Sequence, residues 1–82
     1  MVRYWYKVCP RCHQDALYVM KRADTGRLYL HCEECEEAWN HPEDVSRPGK
    51  SFLGLDIDGS YASVEEIEES GWSGFGLKAA HS

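Results

Sequence analysis

Two stretches of this 82-residue chain, Cys9-Pro10-Arg11-Cys12 and Cys32-Glu33-Glu34-Cys35, contain all four of its cysteines. Nineteen residues separate the two C-x-x-C pairs, within the spacing of C-x₂-C-x₁₅₋₂₀-C-x₂-C zinc sites. Two residues between cysteines allow a tight turn to direct both sulfurs at one ion. Two such turns, brought together by a hairpin, form a tetrahedral cage with Zn–S distances of about 2.3 Å. The spacing therefore predicts one structural Zn²⁺ bound by Cys9, Cys12, Cys32 and Cys35.

A four-cysteine cage argues against catalysis at the metal. Four sulfurs fill the tetrahedron, so no position is open for a catalytic water. The carboxylates of the chain also show no constellation of nucleophile and base. We therefore expect that the protein is not an enzyme.

Several other interpretations of the cysteines stay open at this point. Iron in the same cage would make an electron carrier, because thiolate cages accept both metals. The C-P-R-C motif after a strand also resembles a glutaredoxin active site, but that chemistry needs a thiolate at a helix N-terminus, and residues 13–22 alternate with period 2. Buried or disulfide-linked cysteines are a further alternative. His13 and His31 flank the pairs, and either could replace a ligand or donate to a thiolate.

The paired motifs resemble the zinc-ribbon superfamily, with its rubredoxin-like knuckles, over residues 5–39. The resemblance implies a ribbon fold and a zinc ion. Such knuckles usually have Gly soon after the second cysteine, where φ is positive. Here His13 follows Cys12 and Glu36 follows Cys35. Because His tolerates positive φ better than Glu, we expect the second knuckle to be the looser one.

Strand patterns surround the first knuckle and connect it to the second. Residues 2–8 alternate between apolar and polar types, and residues 16–22 and 27–32 read as a hairpin with Gly26 in its turn. Leu17, Val19, Leu28 and Leu30 are expected on one face of that hairpin. Residues 52–57 are a candidate fourth strand, and residues 58–60 a turn.

A helix is predicted after the sheet. Ser63 and Glu66 form a capping box, so a helix should run from residue 64 to about residue 70, with Gly71 as its C′ residue. Val64, Ile67 and Trp72 would face the sheet. The predicted fold class is α+β, a zinc ribbon with a three- or four-stranded antiparallel sheet and a C-terminal helix. It forms one domain over residues 1–82, with a ribbon core at 5–39 and a C-terminal cap at 52–77.

The aromatic residues of the sheet allow two interpretations. Trp5, Tyr18 and Tyr29 could form an exposed platform that stacks nucleic-acid bases, helped by Arg22 and Arg27. A small domain also needs aromatic residues in its core, so the favoured interpretation is that the C-terminal segment covers the sheet. The residues expected to pack there are Trp39, Phe52, Trp72 and Phe75.

The charge of the chain is negative and unevenly distributed. The net charge is −5; residues 1–32 carry six Lys/Arg and two Asp, whereas residues 33–70 carry twelve Asp/Glu and two Lys/Arg. This balance disfavours non-specific binding to nucleic acid and favours a basic protein partner. The predicted partner-binding residues form an acidic cluster within the second knuckle and just after it. They are Glu33, Glu34, Glu36, Glu37 and Asp44. The second acidic run, residues 65–69, is expected to be a solvated helix face.

The apolar segments of the sequence indicate the cellular compartment. No apolar run reaches the roughly 20 residues of a membrane span, and no apolar region of a signal peptide follows Arg3. We expect a cytoplasmic protein with reduced cysteines and no membrane contact.

The layout is similar to short bacterial zinc-ribbon proteins that have W-x-x-P after the ribbon and end in E-E-I-E-x-x-G-W. Here these motifs are residues 39–42 and 65–72. Proteins of this kind occur near toxin genes, so the resemblance implies an immunity-type inhibitor that occludes a basic toxin or nuclease. The alternative is a transcription- or RNA-associated zinc ribbon.

Overall fold

The fold is one antiparallel sheet with short helical segments on one face. The structure is a computed structural model that describes residues 2–47, 49–55 and 57–81. Seven strands in these ranges lie in the order β5-β4-β3-β2-β1-β7, with β6 also paired to β2. They are β1 (Val2–Val8), β2 (Ala16–Arg22), β3 (Leu28–Cys32), β4 (Glu37–Trp39), β5 (Phe52–Leu53), β6 (Gly59–Tyr61) and β7 (Lys78–His81).

The hairpin of β2 and β3 carries the centre of the core. Leu17 pairs with Cys32 and Val19 pairs with Leu30, and all four side chains are fully buried. Because side chains alternate across a strand, these residues share one face of the sheet. The hairpin turn has Gly26 at φ 74°, as its sequence indicated. The alternation predicted for this hairpin is therefore confirmed.

Strand β1 lies beside β2 over only part of its length. Trp5 pairs with Tyr18, and the register then shifts before Val8. Strand β6 pairs with the second half of β2, where Tyr61 lies opposite Met20. The other edge of β1 is paired with β7.

The core lies on the sheet face that Leu17 and Leu30 share. It is closed by helix α1 (Val64–Glu69) and by two 3-10 segments, Pro42–Ser46 and Ser73–Phe75. The other buried residues of the cluster are Cys9, Val19, Leu28, Cys32, Trp39, Val45, Ala62, Ile67 and Trp72, with Tyr4, Tyr6, Phe75 and Leu77 packed against them.

The opposite face of the sheet is only partly covered. Tyr29 lies on this face and is 2% exposed, and the backbone at Gly54 approaches the His31 ring closely. Trp5 and Tyr18 are half-buried. A fully exposed platform that includes Tyr29 is therefore wrong. The prediction that Trp39 and Trp72 pack in the core is confirmed, because both are buried.

Helix α1 begins and ends on signals in the sequence. The Ser63 Oγ accepts the N–H of Glu66, and the Glu66 carboxylate accepts the N–H of Ser63. At the other end, Gly71 has φ 77°, and the N–H of Trp72 donates to the carbonyl of Ile67 at 3.0 Å. These bonds form a capping box and a Schellman ending. Ile67 and Trp72 are buried as predicted, but Val64 is 42% exposed.

The predicted fold class, α+β with a three- or four-stranded sheet and a C-terminal helix, is wrong. The sheet has seven strands in the described residues, α1 has only six residues, and the last described element is β7, where Val2 lies opposite His81. Gly71 ends the helix, and β7 then satisfies backbone groups that the edge of β1 would leave unpaired.

Two local predictions also differ from the structure. Gly59 and Ser60, predicted to turn, pair with β2 as part of β6. The candidate strand at residues 52–57 is confined to Phe52–Leu53, and Asp56 lies outside the described residues. Both segments are too short for their own residue types to determine their structure, so pairing with distant strands decides it.

Replacing Gly71 with alanine should lower the free energy of unfolding by about 1–2 kcal/mol, because a Cβ is unfavourable in the left-handed region. The new methyl would meet no heavy atom within 4 Å, so the loss of stability would come from backbone strain and not from a steric clash. Gly74→Ala is the matched control, since its methyl is equally free of contacts and its φ is not left-handed. Urea denaturation of the metal-loaded protein measures both variants, and equal effects would contradict the explanation.

Candidate metal centre

The two C-x-x-C turns bring all four cysteines to one place. Cys9 directly follows β1 and Cys32 ends β3, while Cys12 and Cys35 lie in the turns that follow. The four Sγ atoms lie within 4.8 Å of one another. Cys9 and Cys32 are buried, whereas Cys12 and Cys35 are half-buried at the surface.

The sulfur separations match a metal cage. The Cys9 and Cys35 Sγ atoms are 3.7 Å apart, and those of Cys12 and Cys32 are 3.5 Å apart. A tetrahedral ion with metal–sulfur bonds of about 2.3 Å requires sulfur separations of about 3.8 Å. A disulfide would bring two sulfurs to about 2.05 Å, and all four cysteines are free thiols. The four thiols can therefore hold one metal ion.

Each turn is closed by the same backbone hydrogen bond. The N–H of His13 donates to the carbonyl of Cys9 at 3.0 Å, and the N–H of Glu36 donates to the carbonyl of Cys32 at 2.8 Å. His13 and Glu36 have φ values of 55° and 64°. These are the two positions where zinc-ribbon knuckles usually have glycine, so the positive φ expected there is confirmed.

The backbone also points donors at the sulfurs. The N–H of Arg11 lies 3.4 Å from the Sγ of Cys9. The N–H of Gln14 lowers the pKa of the Cys12 thiol to about 7, because a hydrogen bond to the thiolate favours the charged form. Burial raises the pKa of Cys32 and of Cys35. Buried thiols ionise together only when a cation compensates their charge, which is what a divalent metal supplies.

The two histidines beside the cysteines are not in the sulfur cluster. In the described residues the cluster consists of the four cysteines. The Nε2 atom of His31 lies 2.9 Å from the Oε2 atom of Glu36, and His13 is exposed. The contact with His31 anchors the side chain of Glu36 at its left-handed position. Sequence reasoning missed this pair, although a His before the second knuckle and a Glu after it were visible signals.

The structure gives different roles to the five predicted partner-binding residues. Three of them contact other residues of the chain: the Tyr61 hydroxyl donates to Glu33, Glu36 contacts His31, and Glu37 lies 3.5 Å from Arg11. Glu34 is exposed, and Asp44 is half-buried in the 3-10 segment Pro42–Ser46. Their role in partner binding stays a prediction.

The Arg11–Glu37 ion pair links the two knuckles. Arg11 lies inside the first C-x-x-C turn, and Glu37 begins the strand after the second. Arg11 is exposed and Glu37 is half-buried. Ion pairs at the surface contribute at most about 1 kcal/mol, so the pair orients the turns more than it stabilises the fold. The sequence offered no signal for it, because the two residues are far apart along the chain.

Comparisons with protein-family models, curated proteins and solved structures find no match to this chain. The geometry alone therefore defines the class of the site: a four-cysteine, zinc-ribbon-like centre able to hold one metal ion. Among the described residues, no helix has the length and apolar character needed to cross a membrane.

His13→Val should lower the affinity for metal roughly tenfold, because a β-branched residue at positive φ costs about 1–2 kcal/mol. His13→Gly should bind as tightly as the wild type, since glycine adopts this conformation freely. Gln14→Val is the matched control at a neighbouring exposed position without positive φ. Competition with a zinc chelator of known affinity measures all three. Loss of metal binding in His13→Gly would instead make His13 a ligand.

Proposed function

We propose that the chain is a zinc-stabilised, non-catalytic binding module for a basic protein, of the inhibitor or immunity type. The observation that carries the proposal is the closed set of four thiols, with sulfur separations of 3.5 and 3.7 Å in two crossed pairs. A closed cage gives a small domain a rigid scaffold and leaves the metal no free coordination position. Such a site supports binding by the protein surface rather than chemistry at the ion.

Zinc is the metal that this donor set fits best in a non-redox role. Structural zinc sites of this type are four-coordinate and closed, and their metal binding contributes directly to folding. When bound, zinc would supply a 2+ charge that keeps the four thiols ionised. Iron fits the same sulfurs, so metal content and colour separate the two.

Purified protein should contain one zinc per chain and be colourless. Removing the metal with a chelator at neutral pH should unfold it, because a core this small depends on the staple. Metal binding should weaken as the pH falls, since each thiolate must compete with a proton. Elemental analysis and circular dichroism before and after chelation test these points. A coloured, iron-containing protein, or a fold unchanged without metal, would contradict the proposed staple.

The charge of the surface supports a basic partner. The net charge is −5, and the exposed carboxylates near the metal centre include Glu33 and Glu34. Long-range attraction between opposite charges speeds association and disfavours wrong partners. An inhibitor of a toxin or nuclease would use such a surface to occlude a positively charged cleft.

Affinity capture with the zinc-loaded protein from a lysate of its host cells tests the partner class. A single basic protein retained after nuclease treatment, read by mass spectrometry, is the expected result. Retention of polymerase or ribosomal components that disappears with nuclease would contradict it and favour the nucleic-acid alternative.

The double variant Glu34→Lys/Asp44→Lys should weaken binding to the captured partner and reduce its salt dependence, because it reverses two predicted contacts. Asp58→Lys is a control, since Asp58 is also an exposed acid but lies outside the predicted set. Titration calorimetry at two salt concentrations measures the effect. Unchanged affinity in the double variant would remove these residues from the binding surface.

Nucleic-acid binding is the second candidate, and the uncovered part of the sheet favours it. The ammonium group of Lys78 lies 4.7 Å from the centre of the Trp5 ring, and the guanidinium group of Arg3 lies 4.8 Å from that of Tyr18. Cations beside aromatic rings are typical of single-strand binding surfaces. It ranks second because Arg3 lies 3.9 Å from Glu33 and the chain as a whole is acidic.

A further inference from the structure

A small groove lies between α1, β1 and the segment before β7, away from the metal centre. Its volume is about 190 Å³. The apolar part of its lining comes from Tyr4, Val64, Ile67 and Leu77, with Glu68 as the charged residue. Val64 is 42% exposed, so this face of the helix presents an apolar side chain to water beside a carboxylate.

The carboxylates of α1 differ in what they contact. Glu66 forms an ion pair with Lys21 at 2.5 Å and belongs to the capping box. Glu65 and Glu68 are exposed and have no ion-pair partner among residues 2–47, 49–55 and 57–81. They are three residues apart on the helix, so their side chains are neighbours on its surface. The rim of the groove is therefore negative at Glu68, and Glu68 has no ion-pair partner in the part of the chain that the structure describes.

The size and lining of the groove indicate the kind of group that fits. Small-molecule sites usually have volumes of about 300–1,000 Å³, and this groove is smaller. Lysine and arginine side chains bury an aliphatic stem against apolar surface and keep the charged end at a polar one. In this groove the apolar walls can contact the aliphatic stem, and the carboxylate at the rim can contact the charged end.

We propose that this groove receives one lysine or arginine side chain from a basic protein partner. The stem would pack against Val64 and Leu77, and the charged end would meet the carboxylate of Glu68, with Glu65 beside it. The inference rests on the basic partner proposed above and moves the main contact from the second knuckle to helix α1. The knuckle carboxylates are less suitable, because Glu36 and Glu37 already contact cationic or protonatable side chains of the same chain.

Nuclear magnetic resonance on the ¹⁵N-labelled, zinc-loaded protein tests the proposal. The probe is a nine-residue peptide of alternating arginine and serine, and the control peptide has citrulline, which lacks the charge, in place of arginine. We expect the arginine peptide to shift the amide signals of the groove residues Tyr4, Ile67, Gly76 and Leu77. The citrulline peptide should leave them in place, and equal shifts with both peptides would overturn the proposal.

Two matched double variants separate the groove from the second knuckle. Glu65→Gln/Glu68→Gln should raise the Kd for the arginine peptide about fivefold, a change typical of lost exposed ion pairs. Glu34→Gln/Asp44→Asn removes the same charge from the predicted knuckle surface. The groove proposal makes that surface a secondary contact, so this variant should raise the Kd less, by about twofold at most. The substituted carboxylates are not in the capping box or the core, so dispersed spectra should show that both variants fold.

The remaining outcomes distinguish the two proposals. A loss confined to Glu34→Gln/Asp44→Asn, or equal losses in both variants, would overturn the groove and leave a basic-partner module in place. No binding of the arginine peptide to the wild-type protein at low salt would overturn both the groove and the basic-partner proposal.

Discussion

Four thiols packed within 4.8 Å of one another impose the constraint on which this structure depends. Two of them are buried, and burial opposes the ionisation that metal binding requires. A divalent cation resolves this conflict, since it replaces the missing solvation of the thiolates. Because Cys9 follows β1 and Cys32 ends β3, holding their sulfurs together also fixes the ends of the strands that flank β2. The buried pairs of the β2–β3 hairpin then follow from that alignment.

Local signals in the sequence predicted the parts of the fold that depend on neighbouring residues. The C-x-x-C spacing predicted the cluster, the alternation at residues 16–22 predicted the buried face of β2, and Ser63 and Gly71 marked the limits of the helix. Each signal acts within a few residues, through a turn, a pleat or a cap. The same locality explains the positive φ at His13 and Glu36, which the ribbon pattern predicted without showing what would hold Glu36 in place.

The remaining parts were decided by residues far apart in the chain. Lys78 to His81 has no β-branched residue, so nothing in its composition favours a strand, and pairing with β1 creates one. Gly59 and Ser60 have the composition of a turn, yet β2 has room beside its second half for β6. The contacts of Glu33 and Glu37 with Tyr61 and Arg11 likewise depend on the completed sheet. Because of these contacts, part of the acidic cluster that the sequence suggested for a partner already binds other residues of the same chain.

The pairing of β1 with β7 bears on the order in which the parts of this protein fold. Val2 and His81 are opposite each other although almost the whole chain lies between them, so closing this pair carries the largest loop entropy in the sheet. The cysteines and the β2–β3 hairpin lie within residues 9–35 and involve much shorter loops. High contact order slows folding, so we expect the metal centre to assemble first and the β1–β7 edge last. During synthesis on the ribosome, the protein would then bind its metal before β1 and β7 meet.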